Sequence, residues 1–417
     1  MKHLYTLLFA FFLLTSAIHA QSPNCDGQRY IEPIFDNLIE TFDVKYGENI
    51  SVTGQSVELF VDIFEPDEAD VNARPLVLLL HGGAFVTGDK SSMHDICRDF
   101  ASRGYVAATM SYRLFDGPIV PLPDSLALIE VVVQSVEDAF GAMRYFINDA
   151  QTEDLYGINP DMIFIGGVSA GGITSIHTAY MDDNDDVPDF MSQHIDPDLG
   201  LPGASNEFTD ITPVVQGVLN YSGAIYNVSW MDENDEPIFS VHDDQDNVVP
   251  YGVGFATPFF GIPIVSLQGS EAVHAKAEEL GMSSELITIE NSLGHVTYFN
   301  NLSSAIAIEV LDNSSIFLEG IACADVSSTE SLSQAGLQLY AAPNPSSGEM
   351  QIVIPQEFMG GQLEVFDVSG QVKYAHSVQD LNMSLRASDI GQGLFVVRIS
   401  ADPVFGAFYS TTKIIFE

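Results

Sequence analysis

Basic residues are scarce in this chain. Its 417 residues include 14 Lys and Arg against 58 Asp and Glu, which gives a formal net charge of −44 at pH 7. A surface of that sign repels nucleic acid and anionic membranes, so we expect neither as a partner. Such acidity is compatible with a saline environment or with bound calcium, but it identifies neither of them.

Long hydrophobic runs are also missing, apart from one at the N-terminus. Residues 4–14 are mostly apolar, follow Lys2 and precede small residues that end at Ala20, as in a secretory signal peptide. This run is short for a bilayer span. The sequence therefore predicts a signal peptide over residues 1–20 and a protein that is secreted or held at the cell surface, without a membrane span.

Only three cysteines are present, and tryptophan occurs once. In an oxidising compartment one cysteine pair can form a disulfide and leave the third thiol free. Cys25 and Cys323 are a candidate pair because they lie at the two ends of the larger predicted domain. Cys97 lies in a helix-like stretch, where simple burial also accounts for it, so the pairing stays open.

The chain does show a regular alternation of strand and helix patterns. Residues 56–64 alternate polar and apolar side chains, as a strand with one buried face does. Residues 76–80 are continuously apolar, which is typical of a strand buried on both faces of a parallel sheet. Residues 129–150 carry apolar side chains at helical spacing. This alternation predicts an α/β fold with a mostly parallel central sheet and helices on both faces.

One strand pattern ends in a G-x-S-x-G motif, Gly167-Val168-Ser169-Ala170-Gly171. Such a motif turns the chain sharply from a buried strand into a helix and holds the central residue in a strained conformation. The positions two residues to either side must then lack a Cβ. An ordinary glycine-rich turn is the alternative, but the sharp turn would lift the Ser169 hydroxyl clear of the sheet and make it a candidate nucleophile.

A second glycine motif, His81-Gly82-Gly83-Ala84, follows the buried strand 76–80. A His-Gly-Gly loop upstream of a G-x-S-x-G turn resembles the α/β-hydrolase superfamily, in particular its HGG-type carboxylesterases and lipases. The resemblance implies an α/β-hydrolase fold and an oxyanion hole formed by the backbone amides of Gly83, Ala84 and Ala170. It also implies a structural role for His81. Ala84 stands where the family often has glycine, a variant that the family also uses.

The same resemblance implies an acid and a base. The family places its acid after a late strand, in a histidine and Asp-x-x-Val-Pro register that selects Asp246 here, with Asp243 and Asp244 as alternatives. His295 follows a further predicted strand and precedes a helix, where the base belongs in the chain order Ser, Asp, His. The predicted triad is therefore Ser169, Asp246 and His295, with no cofactor and no metal.

Two segments of the predicted catalytic domain, residues 21–323, interrupt the α/β pattern. Residues 182–210 begin with a run of aspartates and include several prolines and apolar residues, so they form either a solvated acidic loop or a cap over the site. The aspartate spacing fits no compact calcium loop. Residues 255–262 are apolar and broken by Pro and Gly, and they either line an acyl pocket or form a packed loop.

The character of the chain changes after Cys323. Residues 324–336 are Ser-rich and predict a linker, and residues 337–417 carry short strand patterns separated by turns, which predict a small β-sandwich. The turn at Asn344-Pro345 and the strand at 391–395 resemble the C-terminal sorting domain of bacterial type IX secretion cargo. The resemblance implies export through that machinery as a partner, and a carbohydrate-binding or adhesive module is the alternative.

These observations together predict a secreted serine carboxylic-ester hydrolase that acts on a small-molecule or polymer-borne ester. A feruloyl or acetyl-xylan esterase, a polyester hydrolase and a serine peptidase of the same fold remain alternatives. A secreted binding protein that kept the fold without the chemistry is the non-enzyme alternative.

Overall fold

The computed structural model describes residues 25, 27–68, 73–182, 185–324, 340–342, 346, 348–354, 358–359, 361–367, 372–400 and 409–416. The predicted signal peptide (1–20) and, apart from Ala324, the predicted linker (324–336) lie outside these residues. The chain divides into two compact units, Met1–Ser327 and Ser328–Glu417. No helix among the described residues is both long enough and apolar enough to cross a bilayer.

The first unit is built from eleven strands and six helices in the part of the chain that the structure describes. The strands are β1 (Leu38–Ile50), β2 (Ser56–Pro66), β3 (Arg74–Leu80), β4 (Val106–Met110), β5 (Ile158–Val168), β6 (Val215–Tyr221), β7 (Ala224–Ile225), β8 (Ile238–Asp243), β9 (Val253–Phe255), β10 (Ser266–Gly269) and β11 (Ser284–Ile289). The helices are α1 (His94–Ser102), α2 (Ser125–Gln151), α3 (Ala170–Tyr180), α4 (Asp189–Ser192), α5 (Ser270–Leu280) and α6 (Ala305–Ala322).

Eight of these strands form one sheet in the order β1-β2-β4-β3-β5-β6-β8-β11. β2 pairs antiparallel with both β1 and β4, and every other neighbouring pair is parallel. β7, β10 and β9 form a separate small antiparallel sheet. The main sheet confirms the predicted α/β class, in which a mostly parallel sheet is covered by helices.

The central strands are buried on both faces, as their continuous apolar runs predict. All seven residues of β3 are buried. Leu76, Leu78 and Leu80 belong to a core with residues of α2 and α3, whereas Val77 and Leu79 belong to a second core with residues of α1 and α6. Because successive strand side chains point to opposite faces, helices lie on both sides of the sheet.

The topology brings four loops to one edge of the sheet. β3, β5, β8 and β11 are parallel, so the segments that follow their carboxyl ends emerge on the same side. These segments contain the His-Gly-Gly loop, Ser169, Asp246 and His295, which are far apart in sequence.

A disulfide joins Cys25 to Cys323, with a Cα–Cα distance of 5.7 Å. It ties the start of the described chain to the residue that follows α6. Cys97 is a free thiol, fully buried in α1, where burial raises its pKa well above the usual value. The sequence left the cysteine pairing open, and the structure pairs Cys25 with Cys323, at the two ends of the first unit.

The second unit contains two antiparallel sheets, β12-β13-β16 and β15-β14-β17-β18. Its elements are β12 (Tyr340–Ala342), β13 (Glu349–Val353), β14 (Gln362–Asp367), β15 (Val372–Ser377), β16 (Asn382–Arg386), α7 (Ala387–Ile390), β17 (Gly393–Ser400) and β18 (Tyr409–Phe416). Ile352, Leu363 and Val397 are among its fully buried core residues. β15 and β16 carry mostly exposed side chains, so they show little apolar alternation in the sequence.

Candidate active site

Ser169 occupies a strained turn between β5 and α3. Its backbone has φ 57° and ψ −115°, a region that residues with a side chain rarely adopt. A Cβ at Gly167 would lie 2.5 Å from the backbone of Gly171, and one at Gly171 would lie 2.1 Å from the carbonyl oxygen of Leu80. The two glycines are therefore required by contact, as the motif predicts, and they allow Ser169 to leave the strand at a sharp angle.

The structure brings the side chains of Ser169, His295 and Asp246 together. His295 Nε2 lies 2.7 Å from Ser169 Oγ, and His295 Nδ1 lies 2.6 Å from Asp246 Oδ2. The Asp246 side chain is fully buried, whereas that of His295 is partly exposed. Val296 adopts a left-handed conformation with φ 55°, which is unusual for a β-branched residue and bends the chain directly after His295.

The two alternative aspartates support the loop that carries His295. Asp243 accepts hydrogen bonds from the backbone N–H and the hydroxyl of Thr297, and Asp244 accepts one from the N–H of Ser292. Among the described residues, Asp246 is the aspartate that hydrogen-bonds to the His295 imidazole. Asp243 and Asp244 therefore position the loop rather than the imidazole itself.

Asp246 has a second imidazole neighbour that the sequence analysis missed as part of the site. His242 Nε2 lies 3.3 Å from Asp246 Oδ2 and 3.2 Å from the carbonyl oxygen of Val249. Burial by itself raises the pKa of Asp246, but hydrogen bonds from His242 and His295 and the N–H of Val248 outweigh it and hold this pKa at about 2. The carboxylate therefore stays ionised over the whole physiological range.

The tautomer of His242 is fixed by a buried hydrogen-bond chain. Asn220 Oδ1 accepts the N–H of Gly223, so its Nδ2 donates to Ser270 Oγ at 2.9 Å. His242 Nε2 faces two acceptors, Asp246 Oδ2 and the Val249 carbonyl oxygen, so it carries a proton, and in that tautomer the Ser270 hydroxyl donates to Nδ1 at 2.7 Å. The signal for this role was present in the sequence as the histidine of the acid-loop motif.

The His-Gly-Gly loop has an irregular backbone next to Ser169. Gly83 and Ala84 have positive φ values of 133° and 54°, and a Cβ at Gly83 would lie 1.9 Å from the carbonyl oxygen of Thr87. His81 is buried, stacks on the ring of Tyr112 and contacts the Gly82 carbonyl oxygen through Nδ1 at 2.8 Å. These contacts hold the loop in shape, as expected of a structural histidine.

The three residues whose amides are predicted to form an oxyanion hole lie beside Ser169. In the part of the chain that the structure describes, the N–H groups of Gly83, Ala84 and Ala170 have no hydrogen-bond acceptor. All three residues line cavities that also include Ser169. Ala170 is the first residue of α3, where backbone N–H groups are unpaired and the helix dipole favours negative charge.

An apolar cavity lies on one side of Ser169. It encloses about 690 Å³ of empty space, part of it open to solvent. Its wall includes Ala84, Ile129, Met191, Ala256 and Ile264. Met191 comes from the segment 182–210, so this segment contributes a side chain to the cavity wall.

His177 is the one imidazole in the cavity wall, and its ring nitrogens already have partners. Nδ1 lies 2.8 Å from the carbonyl oxygen of Ile173 and Nε2 accepts the N–H of Tyr226. Burial lowers the pKa of His177 to about 4, so the ring is neutral. This imidazole therefore offers the cavity neither a charge nor an open hydrogen-bonding position.

Ser169 also lines a second space, which is a more open and more polar cleft. His295 lines this cleft together with Asp89, Ser92 and Asn300. Ser169 belongs to both spaces, so the two compartments next to it differ in polarity. Among the described residues, no three His, Cys, Asp or Glu side chains are grouped so that they can hold a metal ion.

Two parts of the chain match known family models. Residues 61–216 match the family model BD-FAE, and residues 340–416 match the secretion system C-terminal sorting domain. The chain therefore carries an esterase-like α/β-hydrolase domain followed by a secretion sorting domain.

Curated relatives match only a short part of the chain. A non-reducing polyketide synthase, atr1, from Stereocaulon alpinum is 25% identical over 131 residues, which cover 30% of this chain and 5% of that protein. A second one, ausA from Emericella nidulans, is 32% identical over 84 residues, which cover 18% and 3%. The chain thus spans a small fraction of the relatives' length, and their overall activities do not transfer to it.

Solved structures that resemble the chain include esterase 2 of Thermogutta terrifontis. Its form phosphorylated by paraoxon is 18% identical, with a TM-score of 0.49, and the match covers 67% of this chain and 93% of that one. Its propionate-bound form is 19% identical, with a TM-score of 0.46 and coverages of 66% and 92%.

Proposed function

We propose that this protein is a serine carboxylic-ester hydrolase that uses Ser169, His295 and Asp246. The observation that supports the proposal is the continuous line of contacts from the Ser169 hydroxyl through His295 to the buried Asp246 carboxylate. A hydroxyl becomes a nucleophile when an adjacent base accepts its proton and a carboxylate orients that base.

The reaction proceeds through an acyl-enzyme. Ser169 Oγ attacks the ester carbonyl carbon while its proton moves to His295 Nε2, and the carbonyl π electrons move onto oxygen. Collapse of this tetrahedral species re-forms the carbonyl and breaks the bond to the alcohol oxygen, which leaves with the proton from His295. Water, deprotonated by His295, then attacks the acyl-serine. The second collapse releases the carboxylic acid and returns a proton to Ser169.

The oxyanion of each tetrahedral species is stabilised by the amides of Gly83, Ala84 and Ala170. Each correctly placed donor contributes roughly 3 kcal/mol to lowering the barrier. The carboxylate of Asp246 fixes the His295 tautomer and stabilises the imidazolium that forms between the two proton transfers. No step needs a metal or an organic cofactor.

The acyl part and the alcohol part of the ester bind in different compartments beside Ser169. The leaving alcohol must lie within reach of His295, which lines the polar cleft and not the apolar cavity. The acyl group therefore occupies the apolar cavity. An aliphatic or aromatic acyl group suits this wall, and the alcohol side tolerates polar substituents.

The composition of the cavity wall also helps to distinguish between the alternative substrate classes. A peptidase that binds a free peptide amine would be expected to place an acidic group near it, and the cavity wall carries none. An acetyl group would contact only a small part of the apolar wall, so acetyl-xylan is a weaker substrate than an ester of a larger apolar acid. Feruloyl esters and polyester segments both remain compatible with the cavity.

The sorting domain supports export, and we include the secretion machinery as a partner of residues 340–416. Together with a signal peptide over residues 1–20, it would deliver the enzyme outside the cell or to its surface. Deletion of residues 340–416 should leave the enzyme inside a native host, and unchanged export would refute this assignment.

The experiment that tests the catalytic proposal compares the wild type with Ser169→Ala on a panel of soluble esters. The panel contains p-nitrophenyl acetate, butyrate and octanoate, methyl ferulate and an aminoacyl p-nitroanilide. We expect butyrate and larger acyl esters to be hydrolysed faster than acetate, and a loss of at least 1000-fold in Ser169→Ala. Undiminished hydrolysis by the folded variant would exclude Ser169 as the nucleophile, and a preference for the anilide would favour the peptidase.

A further inference from the structure

The segment from Asn247 to Ser270 contains no charged residue, although the chain as a whole has a net charge of −44. It contains β9 and β10 and the hairpin between them. Backbone hydrogen bonds from Ala256 N–H to the Val265 carbonyl and from Ile264 N–H to the Ala256 carbonyl, each of 2.9 Å, hold the arms of this hairpin together. The absence of charge over a stretch of this length sets the segment apart from the rest of this acidic chain.

The tip of the hairpin is a tight turn with an exposed aromatic residue. The Ile262 N–H donates to the Phe259 carbonyl at 2.9 Å, and the two central residues, Phe260 and Gly261, both have positive φ, 53° and 74°. This is the pattern of a type I′ turn, which favours Asn-Gly and strains a bulky residue at the first central position. Phe260 is 96% exposed, so burial within its own unit does not compensate this strain.

More apolar side chains are exposed on the same segment. Val253 is 72% exposed, Phe255 is 59% exposed and Ile262 is also exposed. The sequence predicts either a pocket lining or a packed loop for residues 255–262, and neither description fits these exposed side chains. Smaller neighbours on the same hairpin, Ala256 among them, line the apolar cavity instead.

We propose that Val253, Phe255, Phe260 and Ile262 form a docking surface for the interface of an uncharged, water-insoluble ester, such as a droplet of neutral ester in water. This inference rests on the proposed esterase function and names the physical state of its substrate. The exposed residues and the cavity wall belong to one hairpin, so a molecule drawn from the droplet passes from one apolar surface to the next.

The charge distribution of the protein favours a droplet of neutral ester over other binding partners. A strongly acidic protein is repelled by anionic lipid surfaces, and the uncharged segment provides no ionic partner for a charged macromolecule. Association with a second copy of the chain would need roughly 800 Å² from each partner, and four partly exposed side chains provide less. A contiguous apolar patch of a few hundred Å² is the size that marks functional binding surfaces on single proteins.

The turn geometry provides a variant that keeps the fold. Phe260→Asn creates Asn-Gly, the sequence that a type I′ turn favours, so the melting temperature should stay the same or rise while the apolar side chain is removed. Phe255→Thr places a β-branched residue, which strands favour, in β9 and removes a second exposed ring. Leu155→Asn is the matched control, because it also removes an exposed apolar side chain: Leu155 is 66% exposed. Leu155 precedes β5 and Ser169 follows it, so the two residues lie at opposite ends of this strand.

The test measures the hydrolysis of tributyrin below and above its solubility limit, with the full-length protein. We expect the wild-type rate to rise sharply once droplets form. The ratio of the rate on droplets to the rate on dissolved ester should fall at least threefold in Phe260→Asn and at least tenfold in Phe255→Thr/Phe260→Asn. Leu155→Asn should retain the wild-type ratio.

An unchanged ratio in the double variant would overturn the docking surface. A variant that changes the oligomeric state, as seen by light scattering, but keeps the wild-type ratio of droplet rate to dissolved-ester rate would also overturn the docking surface. If the wild type hydrolyses neither form, the proposed function fails instead, and sedimentation of Ser169→Ala with triacylglycerol droplets tests docking alone. If Ser169→Ala and Ser169→Ala/Phe255→Thr/Phe260→Asn bind to the droplets equally well, docking is refuted independently of catalysis.

Discussion

His242 and Asp246 form a buried pair in which His242 Nε2 lies 3.3 Å from Asp246 Oδ2. The same carboxylate oxygen lies 2.6 Å from His295 Nδ1, so two imidazoles share one acceptor. His242 is held in turn by Ser270, whose hydroxyl lies 2.7 Å from Nδ1. Asp246 is therefore oriented from two directions, and its position does not depend on His295 alone.

The first prediction follows from this pair and concerns His242 as a positioning residue. Replacement by Leu removes the donor to Asp246, whereas Gln can present an amide N–H where Nε2 lies. We expect His242→Leu to lower kcat about 10- to 100-fold with little change in KM, by analogy with loss of other orienting partners, and His242→Gln to recover part of that loss. Steady-state kinetics on a soluble p-nitrophenyl ester measure both effects.

A purely structural role for His242 would give a different result. The two variants would then lose activity in proportion to their loss of folded protein, and kcat per folded enzyme would stay near the wild-type value. Thermal unfolding measured beside the kinetics separates the two cases.

The second prediction distinguishes the three aspartates of the acid loop. Asp246→Asn keeps the size of the side chain but removes the charge that fixes the His295 tautomer, so kcat should fall about 10⁴-fold. Asp244→Asn is the matched change, because Asp244 bonds the backbone of Ser292 instead, and it should cost less than tenfold. A larger loss in Asp244→Asn than in Asp246→Asn would show that the acid has been misassigned.

The third prediction concerns the disulfide between Cys25 and Cys323. Because it closes a loop of 298 residues, its reduction should lower the free energy of unfolding by about 2–5 kcal/mol. Denaturant unfolding with and without dithiothreitol measures the difference. The effect should disappear in Cys25→Ser and persist in Cys97→Ser, which removes the free thiol of α1. Sensitivity that follows Cys97 would contradict the pairing.

The fourth prediction uses an acidic cluster away from Ser169. Burial, reinforced by the nearby charges of Asp235 and Asp232, raises the pKa of Glu236 to about 7. The folded state thus holds a proton that the unfolded state releases near pH 4.3, and stability falls as the pH rises between these two values. Glu236→Gln should therefore be more stable than the wild type at pH 8, by on the order of 2 kcal/mol.

At pH 4 this advantage should largely vanish, because the wild-type carboxyl is then mostly protonated in the unfolded state as well. Glu233→Gln, an exposed neighbour, is the control and should change stability little at either pH. Chemical denaturation at both pH values makes the comparison. Equal stabilisation by Glu236→Gln at pH 4 and pH 8 would show that ionisation is not the cause.

Much of the fold follows from local sequence patterns. The apolar run at 76–80 and the helical spacing at 129–150 predict elements that the structure contains as β3 and α2, because burial on both faces and amphipathicity leave clear periodic signals. The turn at Ser169 was predictable for a similar reason, since only glycine fits at Gly167 and Gly171.

Other features of the site depend on contacts that no local pattern records. The role of His242 requires Ser270 and Asn220, which approach it only after distant segments pack together. The hairpin between β9 and β10 reads as one apolar stretch in the sequence. Its division into a cavity wall and an exposed tip depends on how its arms pair, so the sequence indicated its composition but not its orientation.

The measurement that tests the central claim most directly is covalent labelling by a fluorophosphonate, followed by peptide mapping. An activated serine displaces fluoride and forms a stable phosphonyl ester, whereas an unactivated hydroxyl does not react. We predict one label per chain, on Ser169, with labelling abolished in Ser169→Ala and strongly slowed in His295→Ala. Labelling at another residue, or undiminished labelling of Ser169 without His295, would contradict the account.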